Sequence, residues 1–144
     1  MDLSSKSEYA LLALLELSAG YSGGEPLQIR QISANQNIPD RYLEQLLANL
    51  RRAGLVKSQR GARGGYGLAR APWLITLYDV VSCIEGLEPQ GETVTLPETP
   101  EASVIKEVWG EVRRATEQVL QSHTLKDLVE QRNAKQQIDI MYYI

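Results

Sequence analysis

The chain has 144 residues, 43% of them apolar and 23% charged, with a formal net charge of −3. That is the length of one domain with enough apolar material for a core, and it excludes a disordered or fibrous chain. A single cysteine excludes an internal disulfide and any zinc or cluster site built from several cysteines of one chain. Residues 1–71 hold nine basic and six acidic side chains, whereas residues 72–144 hold six basic and twelve acidic. An acidic total therefore leaves nucleic-acid binding open, because positive charge gathers in the first half. No charged-then-apolar leader is evident and no run reaches membrane-spanning length, so the expectation is a cytoplasmic protein without a membrane partner.

Ser5-Lys6-Ser7-Glu8 has the capping-box pattern, a hydroxyl at the cap and a carboxylate three residues on. It predicts a helix through EYALLALLELSAGY, where Leu11, Leu12, Leu14, Leu15 and Leu17 leave little polar face. Such a helix should be central to the core. Tyr21 to Pro26 is a glycine-rich loop, and Leu27 to Gln36 reads as a short helix with Ile29 and Ile32 inward. Asn35-Gln36-Asn37-Ile38-Pro39 is a tight turn with Asn37 at the left-handed position, which asparagine tolerates. Two short helices across such a turn make a helix-turn-helix, here about residues 28–52.

The second of those helices, DRYLEQLLANLRR, has an apolar stripe of Leu43, Leu46, Leu47 and Leu50. Its opposite face carries Arg41, Glu44, Gln45, Ala48 and Arg52. Arginine can clamp guanine, glutamine can pair with adenine, glutamate can accept from cytosine, and alanine leaves room for a thymine methyl. Ala53-Gly54 ends the helix, glycine permitting the left-handed cap. Leu55 to Gln59 and Tyr66 to Ala69 can pair as strands across Arg60-Gly61-Ala62-Arg63-Gly64-Gly65, so residues 55–70 read as a wing. Arg51, Arg52, Lys57, Arg60, Arg63 and Arg70 lie in this stretch with no acid. A readable helix followed by a basic hairpin predicts a mainly α fold with a small β wing, a winged helix-turn-helix over 1–71.

Ala71-Pro72 ends the second strand, and Thr76-Leu77-Tyr78-Asp79 caps a short helix running to Gly86. Residues 87–102 are rich in proline and glutamate and read as an exposed loop. A long helix is predicted from about Ser103 to Ser122, with Ile105, Val108, Trp109, Val112, Ala115, Thr116, Val119 and Leu120 on one face. So large a stripe after an otherwise complete small domain predicts a partner chain, which makes 72–144 a dimerisation region. Thr124-Leu125-Lys126-Asp127 caps a last short helix. The alternating apolar run Ile138 to Ile144 is expected to pack on something.

SSKSEYALLALLELS, YLEQLLANLRRAGLVKSQRGARGGYGLAR, ITLYDVVSCIEG and the later tryptophan and TLKDLVE together resemble the bacterial winged-helix regulators that include IscR, NsrR and CymR. The resemblance spans nearly the whole chain. It implies a homodimer, swapped through the long helix, that binds a palindromic operator in double-stranded DNA. Arg41, Glu44 and Gln45 would be presented by the recognition helix, although Pro39-Asp40-Arg41 replaces the serine found near its start in many members. Arg60 would be the wing arginine of the minor groove, supported by Gly64, Gly65 and Tyr66. Cluster-binding members carry three cysteines between the short and long helices. Residues 87–102 have none, Lys106 stands where the cluster histidine would be, and Cys83 lies upstream of that loop. The chain is most similar to the CymR branch, which lacks the cluster cysteines. That implies a repressor of cysteine, sulfur or iron–sulfur-related genes that lacks the family's iron–sulfur ligands.

Several residues have plainer readings. Glu44 can pair with Arg41 or Arg52 instead of a base. Cys83 fits a core position better than a redox role, His123 a helix end better than a metal, and Trp73 and Trp109 core or dimer packing better than ligand stacking. The glycines of GARGGYG match neither dinucleotide nor P-loop spacing. A second functional class is a protein-interaction module that docks a metabolic enzyme such as cysteine synthase through the C-terminal half. Catalysis is the weakest reading, since no nucleophile–base pair or metal cluster stands out.

Overall fold

The structure is a computed structural model that describes residues 3–86 and 97–142. Six helices and one two-stranded sheet follow in chain order: α1 (Ser5–Ala19), α2 (Ile29–Gln36), α3 (Asp40–Arg52), β1 (Val56–Gln59), β2 (Gly65–Leu68), α4 (Leu77–Glu85), α5 (Pro100–Ser122) and α6 (Leu125–Tyr142). A 3₁₀ turn at Pro72–Leu74 joins β2 to α4.

Helix α1 is the central element, packing against α2, α3, α4, α6 and β2. Ala10, Ala13, Leu14 and Leu17 on α1 meet Leu43, Leu46, Leu47 and Leu50 of α3 in one apolar cluster. Ile32, Ile38, Leu55, Val56 and Leu68 close that cluster on the side of the turn and wing. It also takes in Ile75, Val80 and Leu125, so both halves of the chain contribute to one core. Leu125 reaches it because a short backbone bridge pins the start of α6: Leu77 donates to the His123 carbonyl and Leu125 to that of Ile75, both at 2.9 Å.

The cap of α1 differs from expectation. Ser4, not Ser5, is the N-cap, and its side chain accepts from the Ser7 amide at 3.2 Å. The Ser7 hydroxyl is buried and donates to Glu85 Oε1 at 3.0 Å, fastening the α1 start to the α4 end. That long-range bond selects Ser4 between two adjacent serines that both suit the cap. Helix α2 starts at Ile29 rather than Leu27, with Gln28 and Gln31 forming a reciprocal box. The Thr76–Asp79 and Thr124–Asp127 caps form as expected.

Two further differences lie in the C-terminal half. Helix α5 begins at Pro100, capped by Thr99, a proline at the first turn costing no helical donor. The last helix is not short: α6 runs 18 residues to Tyr142, so the run from Ile138 continues as helix instead of alternating like a strand. Ile138, Ile140, Met141 and Tyr142 are exposed. Trp73 and Trp109 are likewise exposed, so neither belongs to the core; Trp73 only meets the Tyr21 ring edge-on at 6.0 Å. Most of the expected 87–102 loop lies outside the described residues.

Two carboxylates should shape the acid limb of stability. Hydrogen bonds from Ser4 and Ser7 hold Glu85 below its ordinary value against some burial, and the Thr124 backbone amide followed by its hydroxyl does the same for Asp127. Depressed folded values mean stabilisation that is complete above the unfolded pKa and disappears as pH falls through the folded one. Combining Glu85→Gln with Asp127→Asn should flatten the pH dependence of chemical denaturation below about pH 4.5. An acid limb unchanged in the double variant would show that other groups control it.

Candidate nucleic-acid interface

The outward face of α3 is set by its buried leucines. Leu43, Leu47 and Leu50 are fully enclosed and Leu46 nearly so, which turns the opposite side outward. Arg41, Glu44, Gln45, Ala48 and Arg52 are all exposed there. Asn37 adopts φ 54° and ψ 47°, the left-handed turn that redirects the chain from α2 into α3. Its amide bonds the Ser33 carbonyl, and the Ser33 hydroxyl donates to Ile38 at 2.7 Å, so the turn is held from both sides. Glu16 on α1 accepts from Asn35 and Gln36, fixing the end of α2.

Among the described residues Glu44 makes no ion pair with Arg41 or Arg52; Lys126–Glu130 is the salt bridge they contain. Arg52 bonds the Asn49 side chain one turn back on its own helix, which places its guanidinium at the C-terminal end of the stripe. The outward face thus offers a cation, an acceptor and an amide in sequence, without internal pairing at Glu44.

The wing is an antiparallel pair in the register Val56–Leu68, Lys57–Gly67, Ser58–Tyr66 and Gln59–Gly65. Arg60 and Arg63 stand exposed on its connection. Gly64 and Gly65 are required by close packing, since a Cβ on Gly64 would meet the Gln59 carbonyl and one on Gly65 the Leu27 carbonyl. Tyr66 is half-buried, and its backbone exchanges two hydrogen bonds with Leu27 at 2.7 and 2.9 Å. This bridge ties the wing to the residues just before α2. Sequence reasoning missed it by placing Leu27 in the helix, although an apolar residue after Pro26 and outside the helical stripe was a usable signal. Also missed were the Tyr9–Tyr42 ring contact at 6.2 Å between α1 and α3 and the bond from Arg51 to Ser58.

The sites expected in the C-terminal half fall on one helix. None of the residues of α5 is buried. Ile105 and Trp109 are each 63% exposed, and Val108, Val112 and Val119 are exposed with them. Thr116 is half-buried and its hydroxyl turns back to the Val112 carbonyl at 2.9 Å.

The family model Rrf2, described as an iron-dependent transcriptional regulator, matches residues 3–131. This chain belongs to the Rrf2 family of transcriptional regulators. The HTH-type transcriptional regulator CymR of Bacillus subtilis (strain 168) is 38% identical over 144 residues, covering 100% of both chains. Among solved structures, T. potens IscR has a TM-score of 0.78 and 39% identity over 92% of this chain and 88% of its own. The structure of CymR, the global cysteine regulator of B. subtilis, has a TM-score of 0.76 and 38% identity over 90% and 97%. The winged fold of this Rrf2 member is therefore that of known DNA-binding regulators, and its relatives are regulators rather than enzymes. No helix among the described residues is long and apolar enough to cross a membrane.

The iron in the family description does not fit the donors here. Cys83 is the one cysteine, half-buried, with its thiol 3.6 Å from the Asn49 carbonyl. Burial pushes that thiol upward in pKa, with Arg52 opposing, so the metal-binding thiolate is disfavoured. Among the described residues no three His, Cys, Asp or Glu side chains converge as a metal site, and His123 instead occupies the end of α5.

Gly64→Ala should disrupt the wing locally. Overpacking costs about 1–3 kcal/mol, and the obstructing atoms are backbone. Hydrogen exchange should show lost protection in β1 and β2 with α1 and α3 still protected. Protection retained throughout would mean that the turn accommodates a side chain.

Proposed function

We propose that this Rrf2 regulator is a homodimeric repressor that reads a palindromic operator, with residues 1–71 as its DNA-reading region and 72–144 as its dimerisation region. The observation that carries the reading is the outward stripe of α3 joined to a cationic wing. Arg41, Glu44, Gln45 and Arg52 supply base-edge and backbone contacts, while Arg60 and Arg63 reach the minor groove or its phosphates, positioned by Gly64, Gly65 and Tyr66. Phosphate contacts orient the protein and the groove contacts carry specificity. The solved CymR is titled a global cysteine regulator, which supports cysteine and sulfur genes as candidate targets.

Second-copy pairing is supported by α5, whose Ile105, Val108, Trp109, Val112 and Val119 are exposed along one side. Burying one such side chain contributes about 1.5–3 kcal/mol, so several suffice to favour association. A two-fold dimer would then set its half-sites about one helical turn apart or a multiple of it. Docking of a metabolic enzyme remains the second reading, favoured by the exposed apolar end of α6 at Ile138, Ile140, Met141 and Tyr142. Deleting residues 136–144 should abolish capture of such an enzyme while sparing operator binding.

Arg60→Ala is expected to weaken operator binding and reduce the slope of log affinity against log salt by about one. Fluorescence anisotropy across a salt series reads both, and an unchanged affinity and slope would remove Arg60 from the interface. Val108→Glu with Trp109→Ala should convert the protein to monomers at micromolar concentration in sedimentation velocity. Persistence of the dimer would move the interface off this stripe.

A further inference from the structure

We infer that Arg51 and Ser58 form a strut that sets the angle between the recognition helix and the wing, so that Arg60 is aimed before DNA arrives. This rests on the DNA-reading role proposed above and assigns positions that neither the α3 stripe nor the wing tip includes. Arg51 Nη1 donates to Ser58 Oγ at 3.0 Å across the junction of α3 and β1. The link is geometrically apt. Ser58 shares a strand face with the buried Val56, because side chains two apart point the same way. Arg51 is exposed and follows Leu50, the last fully buried leucine of α3, so its side chain leaves the helix beside a backbone position fixed by the core. Arg60 lies two residues beyond Ser58, and a rotation of β1 about its paired partner would carry it away.

The other sides of the wing are already fixed. Tyr66 is held by Leu27 through two backbone bonds, and Gly65 sits too close to the Leu27 carbonyl for any side chain. These contacts hold β2 against the segment before α2. The root of β1 is set against α3 by the Leu55 amide donating to the Leu50 carbonyl at 3.0 Å and by burial of Leu55 and Val56, beside the positive-φ turn at Gly54, which leaves the exposed remainder of β1 to be steadied from outside. Arg51 spans that turn from outside. A cation used in this way points along the protein surface, so Arg51 is a positioning residue and not a phosphate clamp.

A double-mutant cycle on operator binding tests the strut, using Ser58→Ala, Ser58→Thr and Arg60→Ala in the full-length protein. Ser58→Ala keeps every charge while removing the acceptor. It should weaken operator binding about two- to tenfold, the range for one lost hydrogen bond, with the salt slope unchanged. Ser58→Thr keeps the hydroxyl on a residue that suits strands, and should restore affinity. In the Arg60→Ala background the Ser58→Ala penalty should vanish, because nothing remains to be aimed. A penalty that persists there, or failure of threonine to rescue, would make Ser58 merely structural and overturn the strut. Arg60→Ala weakening binding while Ser58→Ala does nothing would also sink it, yet leave the wing reading intact. An Arg60→Ala protein with full affinity would end both. Arg51→Ala lowering the salt slope by one in the Ser58→Ala background would show a phosphate contact instead, and equally overturn the assignment.

Discussion

The leucine stripe of α3 is the constraint on which the interface depends. Leu43, Leu46, Leu47 and Leu50 all face the cluster built on α1, and a helix with four buried anchors over eight positions has one rotational setting. That setting alone decides that Arg41, Glu44, Gln45 and Ala48 face outward. A helix rotated by one residue would bury a charge and expose a leucine, which together cost more than a single base contact of about 1–3 kcal/mol returns. The outward polar face is thus a by-product of core packing, held in place by side chains that point away from it. The same cluster reaches Leu55, Val56 and Leu68 at the root of the wing, so hairpin and helix are seated on common ground.

What could be read from the sequence was what is local. The Thr76–Asp79 and Thr124–Asp127 caps, the left-handed Asn37 and the glycine turn at Gly54 each require only neighbours within four residues, and each is found where the pattern puts it. The outward residues of α3 follow from periodicity, which is a strong signal in a helix with so clear a division of polar and apolar positions. The long-range contacts left no comparable trace. Ser7 and Glu85 are 78 residues apart, and nothing near Ser5 indicates that its neighbour Ser4 takes the cap. The Leu27–Tyr66 bridge depends on where the wing returns, so a helix start two residues early was the natural reading. At the other end, Ile138-Asp139-Ile140 is too short an alternation to distinguish a strand from a continuing helix. Helix α6, already nucleated in the core at Leu125, simply propagates through it.

The charge asymmetry acquires meaning in the fold. Basic residues from Arg51 to Arg70 lie on the surface of the wing and the end of α3 with no acid among them, whereas α5 mixes Glu101, Glu107, Glu111 and Glu117 with Lys106, Arg113 and Arg114. The cationic side is thus confined to the wing and the end of α3 in a chain of net negative charge. A net charge of −3 is therefore compatible with the proposed DNA reading, since a polyanion would be drawn to the cationic side. Electrostatics of this kind acts on encounter and register, while discrimination between sequences stays with the few groups that reach base edges.

The two halves also differ in what their exposed surfaces ask of a partner. Around the reading helix the exposed groups are charges and amides, which lose little by remaining in water until a nucleic acid replaces it. On α5 they are valine, isoleucine and tryptophan, and the helix hides none of its residues within its own chain. Apolar area of this kind on a helix of 23 residues, roughly 34 Å long, is costly to hydrate and gains nothing from a polyanion. Its natural match is another apolar surface, and the helix keeps Leu120 half-buried near one end while its apolar middle is exposed. The two recognition roles proposed above, one polar and salt-sensitive, the other apolar and salt-tolerant, would thus be separated along a single chain and open to being weakened independently.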